Sequence, residues 1–395
     1  MFTRRTNWSF EMNPLMARLS ALRQQGEQII DLTESNPTLY GFKYPKEKIL
    51  TALANPKNMS YEPSPWASVP AREAIVSHYQ QKGIRIKEQR VFFTASTSEA
   101  YAFLFRLLVD QDECILVPRP SYPLFEFLAQ LNDVGMEQYP LIYDDRWSID
   151  FKALTKAISP RTKAVLLVNP NNPTGSYIRE EELAELNHIC QKHNLVLICD
   201  EVFSDYRFDR DKKIVSSLAG NSSVLTFSLA GASKSLGLPQ MKIGWVIVSG
   251  PDKLVAAALE RLEIILDTYL SVNTPALNAL PEWLKLQPVI QKEISGHLLS
   301  NHDYLTKKVA AVPACQCLPV EGGWYAIVRL PNIKSEEDWI LEFLERDHVF
   351  IHPGYFFDFQ AGVYIVLSLL PEPKVFQQGV SRILSRVRGR VRGLL

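Results

Sequence analysis

Four short polar segments of the 395-residue sequence each follow a run of residues that favours a β-strand. They supply hydroxyl, amide, carboxylate and amine side chains: residues 94–100 (TASTSEA), 169–175 (NPNNPTG), 200–203 (DEVF) and 228–234 (SLAGASK). Taken singly they have ordinary interpretations, since Asn-Pro-Thr-Gly forms turns, a Ser-rich loop caps a helix, and a lone Lys is a surface charge. Because the ends of strands converge in a sheet, the four segments together predict one shared pocket.

The elements that must position these segments alternate between strand and helix. Short apolar runs predict strands, and helical spacing of apolar residues predicts the helices between them. The predicted strands are 91–94, 115–117, 163–168, 195–199, 224–228 and 243–248, and the predicted helices are 98–108, 123–131 and 179–192. This alternation predicts an α/β fold in which helices cover both faces of a mostly parallel sheet.

The length of the chain favours two domains. The pattern changes near residue 285, where a polar helix predicted at 289–311 is followed by Gly-Gly-Trp-Tyr and short strands. We therefore predict a large α/β domain at 46–284 and a smaller α+β domain formed by 1–45 together with 285–395.

The composition gives no reason to expect nucleic acid or a membrane as a partner. Hydrophobic residues make up 46% and charged residues 22% of the chain, and the formal net charge is zero. The five cysteines include no Cys-x-x-Cys pair, so we expect no metal site and a reducing cytoplasm. Five arginines at 381–392 could form a patch for nucleic acid or anionic lipid, but a surface helix end explains them better.

In their order and spacing the four segments resemble those of the class I and II aminotransferases, which are fold-type I pyridoxal 5′-phosphate (PLP) enzymes. The likeness extends from Asn36-Pro37 into the final domain, and the Pro-Ser-Tyr-Pro run at 120–123 adds to it. It implies a PLP-binding α/β domain with a smaller α+β domain. It also implies a reaction in which PLP acts as an electron sink.

The resemblance implies a role for each matching side chain. Lys234 matches the lysine that forms a Schiff base with PLP and then moves a proton between the substrate Cα and the cofactor C4′. Asp200 matches the carboxylate that pairs with the pyridine nitrogen and keeps it protonated. Asn172 matches the amide that hydrogen-bonds the phenolic oxygen of the ring, and Tyr122 matches the aromatic residue that stacks on the ring.

The phosphate group of PLP needs hydrogen-bond donors and positive charge. Ser96 and Thr97 lie in a small-residue loop that opens a predicted helix, where free N–H groups and the helix dipole favour an anion. Ser98 adds a hydroxyl nearby. Lys242 stands where the family usually has a phosphate-binding Arg, which keeps the charge and loses the bidentate fork.

Two further positions concern the edge of the phosphate site, and one departs from the family while the other matches it. A serine that the family usually has three residues before the lysine is Gly231 here, so Ser233 or Ser228 is expected to compensate. Tyr61 resembles the tyrosine that reaches the phosphate from the partner subunit. This resemblance implies a homodimer with shared active sites.

Two positions depart from the family at the reacting end of the site. Phe203 replaces a Tyr whose hydroxyl also contacts the phenolic oxygen. Val366 stands where an Arg usually binds the substrate α-carboxylate, and an apolar side chain cannot replace a bidentate Arg–carboxylate contact. Arg119, before Pro-Ser-Tyr, and Arg329, after Gly-Gly-Trp-Tyr, are candidates to replace it, although both are also explained as surface residues.

Aromatic residues of the smaller domain are expected near the substrate. The segments 322–325 (GGWY), which includes Trp324, and 352–357 (HPGYFF) are expected to line the site. Their aromatic residues favour an apolar or aromatic substrate side chain, and packing in that domain explains them equally well. Asn36 is a further candidate for substrate contact.

We therefore predict a cytoplasmic, homodimeric PLP-dependent aminotransferase that moves an amino group between an amino acid and a 2-oxo acid. One alternative is another PLP reaction on the same scaffold, namely elimination, cyclisation or decarboxylation, for which Val366 and Phe203 leave room. A second alternative is a non-catalytic PLP-fold regulator. The intact lysine, aspartate and asparagine, and the short segment before Asn36, disfavour this second alternative.

Overall fold

The strand-forming runs of the sequence build one large and two small β-sheets in a computed structural model that describes residues 1–11, 13–208, 213–270 and 272–393. The strands are β1 Ile30–Asp31, β2 Val91–Thr94, β3 Cys114–Arg119, β4 Gly135–Asp144, β5 Arg146–Ile149, β6 Thr162–Val168, β7 Val196–Asp200, β8 Thr226–Gly231, β9 Gly244–Ser249, β10 Gln316–Cys317, β11 Tyr325–Arg329, β12 Val349–Phe350, β13 His352–Pro353 and β14 Tyr364–Ser368. The α-helices are α1 Pro14–Gln24, α2 Lys46–Leu53, α3 Val69–Gln81, α4 Thr97–Leu108, α5 Leu124–Leu131, α6 Phe151–Ala157, α7 Glu180–His193, α8 Ala232–Ser235, α9 Asp252–Tyr269, α10 Thr274–Ala310, α11 Glu336–Asp347 and α12 Pro373–Arg392.

The large sheet has the strand order β2-β9-β8-β7-β6-β3-β4-β5. Strands β8, β7, β6, β3 and β4 run parallel, β9 is antiparallel to both of its neighbours, and β5 forms an antiparallel hairpin with β4. Strands β6 to β9 are buried along almost their whole length, as expected for strands covered on both faces, and their sequences are therefore nearly continuous apolar runs. The predicted α/β fold with a mostly parallel sheet is confirmed.

Helices pack on both faces of this sheet. Leu104 of α4 and Leu262 of α9 belong to one buried cluster with Ile198 of β7. Leu186 of α7 belongs to a different buried cluster with Leu197, the preceding residue of β7. Because successive side chains of a strand point to opposite faces, the two clusters form the two cores on either side of the sheet.

The smaller sheets use residues from both ends of the chain. Strands β10, β11, β14 and β13 form an antiparallel sheet in that order, and β1 pairs with β12 in parallel. Helices α11 and α12 contact each other and β12. The limits of the two domains, at 46–284 and at 1–45 with 285–395, stay a prediction, because α10 runs without a break past residue 284.

Helix α10 begins at Thr274, well before the predicted start at 289. The sequence disfavours a helix there because Pro281 and Pro288 each remove a backbone hydrogen bond. Tertiary packing outweighs this cost: Trp283 is fully buried, and its Nε1 donates a hydrogen bond to the carbonyl oxygen of Ile49 at 3.1 Å. The packing of α10 on α2 and α3 thus extends it through both prolines.

The arginines near the C-terminus attach α12 to α11. Arg386 makes a bidentate contact with Asp347 at 3.0 and 2.9 Å, and Arg390 donates to Glu342 at 2.7 Å. Arg382 donates to the carbonyl oxygen of Asp347 at 2.7 Å, where α11 ends. These arginines therefore bind acceptors on α11, in addition to any favourable interaction with the dipole of their own helix.

Two negative findings apply to the described ranges of the chain. None of the helices there combines the length and the apolar character that crossing a bilayer requires. The same residues contain no group of three or more His, Cys, Asp and Glu side chains arranged to hold a metal ion.

Candidate active site

The carboxyl ends of β6, β7 and β8 and the loop after β2 meet at a cleft with a cavity volume of about 210 Å³. Parallel strands place their carboxyl ends at one edge of the sheet, so residues far apart in sequence line the same space. The cleft brings together these predicted site residues: Ser96, Thr97, Ser98, Tyr122, Asn172, Asp200, Phe203, Ser233 and Lys234.

Lys234 lies in α8, the short helix that directly follows β8. Its Nζ is 4.7 Å from the centre of the Trp324 ring and 5.6 Å from that of the Phe203 ring. Burial lowers the pKa of Lys234 to about 8, because the charged amine loses hydration, while the carboxylates of Asp200 and Glu34 oppose the shift. The neutral amine, which is the form that attacks a carbonyl group, is therefore accessible close to neutral pH.

Asp200 is the last residue of β7 and is buried in the same cleft. Its Oδ2 accepts a hydrogen bond from the Tyr101 hydroxyl at 2.8 Å, and its Oδ1 accepts one from the Val202 amide at 3.1 Å. Burial raises the pKa of Asp200, while those two donors and the Lys234 cation favour the ionised form. A cation bound beside Asp200 would stabilise its carboxylate further.

The N-terminus of α4 forms another part of the cleft. Ser96 is its N-cap, and the side chain accepts a hydrogen bond from the Glu99 amide at 3.2 Å. Thr97 and Ser98 belong to the first turn, where backbone N–H groups lack partners within the helix, and both line the cleft. A twelve-residue helix that begins in this way favours an anion at its start.

Asn172, Tyr122 and Phe203 surround the space next to Lys234. The Oδ1 of Asn172 is buried and has no hydrogen-bond partner among the described residues. Tyr122 packs edge-on against Phe125, with ring centroids 5.8 Å apart. Because buried polar atoms are normally hydrogen-bonded, the Oδ1 of Asn172 is an acceptor available to a donor of a bound molecule.

Two residues predicted for the phosphate are absent from the cleft lining of the single chain. Lys242 is exposed after the short 3-10 helix Pro239–Met241 and adopts a φ of 49°. Tyr61 is 70% exposed. The lining donors for an anion in one chain are thus the hydroxyl groups and the start of α4.

Of the predicted substrate residues, Trp324 is the one that contacts Lys234, through its ring face. Asn36 uses its side chain to cap a 3-10 helix and lies beside Ser35, which lines the cleft. Arg119 ends β3 in a half-buried position, and Arg329 is exposed at the end of β11. Neither arginine lines the cleft.

Val366 is buried in β14 and is surrounded by other apolar residues. It packs in a cluster with Trp147, Ile327 and Phe357. An arginine at this position would need space and a charge partner that this apolar cluster does not offer. The structure therefore shows an apolar wall at the position of the expected cation.

Among the polar residues that line the cleft, Ser35 and Tyr101 were not predicted from the sequence. Tyr101 lies one helical turn after Thr97 on α4, so the helical period carries a signal that could have found it. Ser35 directly precedes the Asn-Pro pair that the motifs singled out. Tyr325, which was predicted as part of the Gly-Gly-Trp-Tyr segment, does line the cleft.

Comparison with known proteins gives the family. The model of the family "Aminotransferase class I and II" matches residues 27–372, and the chain belongs to that family. The chain is similar to the glutamate-pyruvate aminotransferase AlaA of Escherichia coli K12, at 26% identity over 95% of this chain and 94% of that protein. It is also similar to an alanine aminotransferase of Mycobacterium tuberculosis H37Rv, at 28% identity over 94% of this chain and 88% of the relative.

Solved structures show the same fold. An alanine aminotransferase from Pyrococcus furiosus superimposes with a TM-score of 0.89, covering 99% of this chain and all of that chain, at 23% identity. An aminotransferase from Escherichia coli gives a TM-score of 0.86 at 24% identity, covering 98% of each chain. The predicted fold-type I architecture is confirmed.

The cofactor of this family is pyridoxal 5′-phosphate, and the residues of the cleft fit it. The buried Asp200 carboxylate suits a protonated ring nitrogen, the start of α4 suits a phosphate, and the Nδ2 donor of Asn172, which lines the cleft, suits a ring oxygen. Lys234 supplies an amine of lowered pKa for attachment. The chain is a PLP-dependent aminotransferase, which confirms the predicted activity over the alternative of a non-catalytic regulator.

Proposed function

We propose that Lys234 and Asp200 carry the amino transfer, on an amino acid with an apolar or aromatic side chain and a 2-oxo acid. The observation that supports this most is the pairing, in one cleft, of a lysine whose pKa is lowered to about 8 with a buried carboxylate. When bound, PLP withdraws electrons from the substrate and makes its Cα proton acidic. Groups with perturbed pKa values that face each other in a cleft mark catalytic sites.

Lys234 would act in two ways through Nζ. As a neutral amine it attaches the cofactor, and once a substrate amine has displaced it, the same atom can accept a proton and return it to a neighbouring carbon. The ring faces of Trp324 and Phe203 limit the positions open to Nζ. These rings also tolerate the cation that forms when Nζ holds the proton.

Asp200 and the start of α4 would bind the two ends of the cofactor. The carboxylate would pair with the ring nitrogen, and Ser96, Thr97 and Ser98 would supply hydroxyl and backbone donors to the phosphate. Ser233, next to Lys234, lines the cleft and can add a further hydroxyl. Tyr122 would cover the ring, and Asn172 would hydrogen-bond its phenolic oxygen.

The apolar surroundings support an apolar or aromatic substrate. Val366 and Phe357 share a buried cluster, and Tyr325, which packs against that cluster, also lines the cleft. A carboxylate on the substrate side chain would lose hydration there without gaining a cation. Arg119 and Arg329 stay predictions for the α-carboxylate, since neither lines the cleft of the single chain.

The test is amino transfer by the purified, PLP-loaded protein with single amino acids and a 2-oxo acid acceptor. We expect kcat/KM for phenylalanine, leucine or alanine to exceed that for aspartate by about tenfold or more, because the buried side-chain charge is not paired. Lys234→Ala should lose at least about 10³-fold in rate. The control is Lys152→Ala, since Lys152 is exposed on α6 and lies outside the lining of the cleft.

The results separate activity from specificity. Equal loss in the Lys234 and Lys152 variants would contradict the role of Lys234. A preference for aspartate would contradict the apolar substrate and leave the aminotransferase activity intact. Release of a product other than the matching 2-oxo acid would instead favour elimination or decarboxylation.

We also propose a homodimer with shared sites, in the cytoplasm. Met59 and Tyr61 are 91% and 70% exposed, and apolar side chains this exposed suit coverage by a second copy. The free thiols, three of them buried, suit a reducing compartment. If Tyr61 serves the partner's site, a mixture of Lys234→Ala and Tyr61→Ala proteins forms hybrid dimers with one intact site.

Mixing therefore tests the dimer directly. We expect activity to return after the two inactive variants are mixed and allowed to exchange subunits, with sedimentation at the mass of a dimer. A mixture that stays inactive although the subunits exchange would exclude shared sites, and sedimentation as a monomer would exclude the dimer.

A further inference from the structure

The hydroxyl of Tyr101 is buried against the carboxylate of Asp200. The distance from the hydroxyl oxygen to Asp200 Oδ2 is 2.8 Å, and the Tyr101 side chain is 2% exposed. Tyr101 also lines the cleft. Tyr101 differs from an ordinary core tyrosine, because its hydroxyl donates a hydrogen bond to a residue that takes part in the proposed reaction.

Helix α4 connects the contact between Tyr101 and Asp200 to the helix start that suits a phosphate. Thr97, in the first turn of α4, faces the cleft, and Tyr101 follows one turn later on the same side of the helix. The rings of Phe105 and Phe125 pack on Tyr101 at centroid distances of 5.9 and 5.4 Å. One rigid helix therefore carries both the start that suits a phosphate and the hydroxyl that contacts Asp200.

The two donors to Asp200 fix the plane of its carboxylate. The Val202 amide holds Oδ1 and the Tyr101 hydroxyl holds Oδ2, so the carboxylate cannot rotate without losing one of them. Each carboxylate oxygen has a second lone pair that stays available to another donor. Burial and the nearby carboxylate raise the pKa of Tyr101 far above its ordinary value, so it stays a donor.

We propose that Tyr101 is a positioning residue that holds the Asp200 carboxylate ionised and oriented toward the ring nitrogen of PLP. This inference rests on the proposed role of Asp200. It assigns to α4 a second task besides phosphate binding, which is to set the distance between the two ends of the cofactor site. Tyr101 acts through Asp200 and does not contact the reacting atoms.

The test compares PLP with its analogue in which CH replaces the ring nitrogen. Both carry the aldehyde and the phosphate, so Lys234 and α4 treat them alike, and only PLP offers a nitrogen to Asp200. The full-length protein is loaded with either compound, and the amount retained after dilution gives the dissociation constant. The variants are Tyr101→Phe, which keeps the ring and removes the hydroxyl, and Asp200→Asn.

A matched control is Tyr139→Phe. Tyr139 is as deeply buried as Tyr101, and its hydroxyl donates to the carbonyl oxygen of Leu166 at 2.8 Å, away from the residues that line the cleft. The Tyr139→Phe variant therefore measures how the loss of a buried tyrosine hydrogen bond affects cofactor binding when the tyrosine lies outside the cofactor site. Circular dichroism and thermal unfolding of all variants show whether the fold is retained.

We expect Tyr101→Phe to weaken the binding of PLP by about tenfold, as for loss of a hydrogen bond to a charged group, and to leave the binding of the analogue unchanged. Tyr139→Phe should change neither. The inference would be overturned if Tyr101→Phe weakened the binding of both compounds equally, or left the binding of PLP unchanged. This conclusion requires that Asp200→Asn still lowers the affinity for PLP relative to the analogue. If Asp200→Asn also leaves that relative affinity intact, the proposed role of Asp200 fails as well.

Discussion

At the scale of single residues, burial brings the pKa values of Lys234 and Asp200 closer together. It lowers the pKa of Lys234 and raises that of Asp200, because each loses hydration of its charged form. Their mutual attraction opposes both shifts. The balance leaves Lys234 with a pKa of about 8, so its neutral form is available without strong base.

The lowered pKa of Lys234 predicts how cofactor attachment depends on pH. The protonated amine is unreactive, so the rate at which cofactor-free protein attaches PLP should rise with pH through a midpoint near 8, well below the ordinary value of 10.5. Asp200→Asn should move the midpoint lower, because it removes a negative charge that favours the ammonium form. Absorbance of the attached cofactor measures the rate.

The reference for this experiment is free lysine at the same pH values, which corrects for the titration of PLP itself. A midpoint at that of free lysine would contradict the effect of burial. A shift upward in Asp200→Asn would contradict the attraction between the two groups.

At the scale of elements, a strand followed by a capped helix start forms the proposed phosphate site. β2 is fully buried and delivers Ser96 to the start of α4, where its side chain caps the helix. Ser335 caps α11 in the same way, with its Oγ accepting from the Asp338 amide at 3.1 Å, and it is absent from the lining of the cleft. The two caps allow stability and cofactor binding to be separated.

Ser96→Ala should lower the free energy of unfolding by about 1 kcal/mol and also weaken PLP binding, because it removes a cap and a donor at one helix start. Ser335→Ala should cause a similar loss of stability without a change in PLP binding. Urea unfolding and cofactor titration measure the two effects. Equal PLP affinity in the two variants would remove Ser96 from the phosphate site.

The contact between α11 and α12 is also expected to contribute to the free energy of unfolding. Arg386→Met should lower the free energy of unfolding by about 2 kcal/mol, because it leaves the Asp347 carboxylate without its bidentate partner. The control is Arg392→Met, since Arg392 is exposed at the end of α12. Denaturant unfolding that shows the same stability for both variants would contradict a structural role for Arg386.

At the scale of the whole molecule, the cleft depends on a close contact between distant segments. The loop that carries Asn172 ends at Gly175, and a Cβ built on Gly175 would lie 2.5 Å from the carbonyl oxygen of Gly322. Nearby, the Tyr177 amide donates to the Glu321 carboxylate at 2.8 Å. The motif loop and the Gly-Gly-Trp-Tyr segment thus hold each other in place next to Lys234.

Gly175→Ala tests this contact against a matched control. Gly175 and Gly26 have φ values of 69° and 82°, so alanine is strained at both, but a Cβ at Gly26 meets no atom within 4 Å. We expect Gly175→Ala to lose about 1–3 kcal/mol more of unfolding free energy than Gly26→Ala, because the backbone of Gly322 cannot move aside easily. Equal losses in thermal unfolding would show that the contact can relax.

The sequence by itself determined the fold class, the family, the cofactor and a set of side chains around Lys234. The family and the cofactor followed from the resemblance of the motifs to a known family. The shared cleft followed because each motif comes at the end of a buried strand, and strand order brings strand ends to one edge of the sheet. The same local signals placed the strands and helices that carry the motifs. They failed for α10, where buried Trp283 outweighs two prolines that locally disfavour a helix.

Only the tertiary structure decided which side chains face one another inside the cleft. The contact of Tyr101 with Asp200 joins α4 to β7, and the cluster around Val366 joins β14 to Trp147 of β5. A local pattern states that a residue is apolar or helical, but not which distant residue it meets. That choice depends on the packing of whole elements, where burial, volume and charge must be satisfied together.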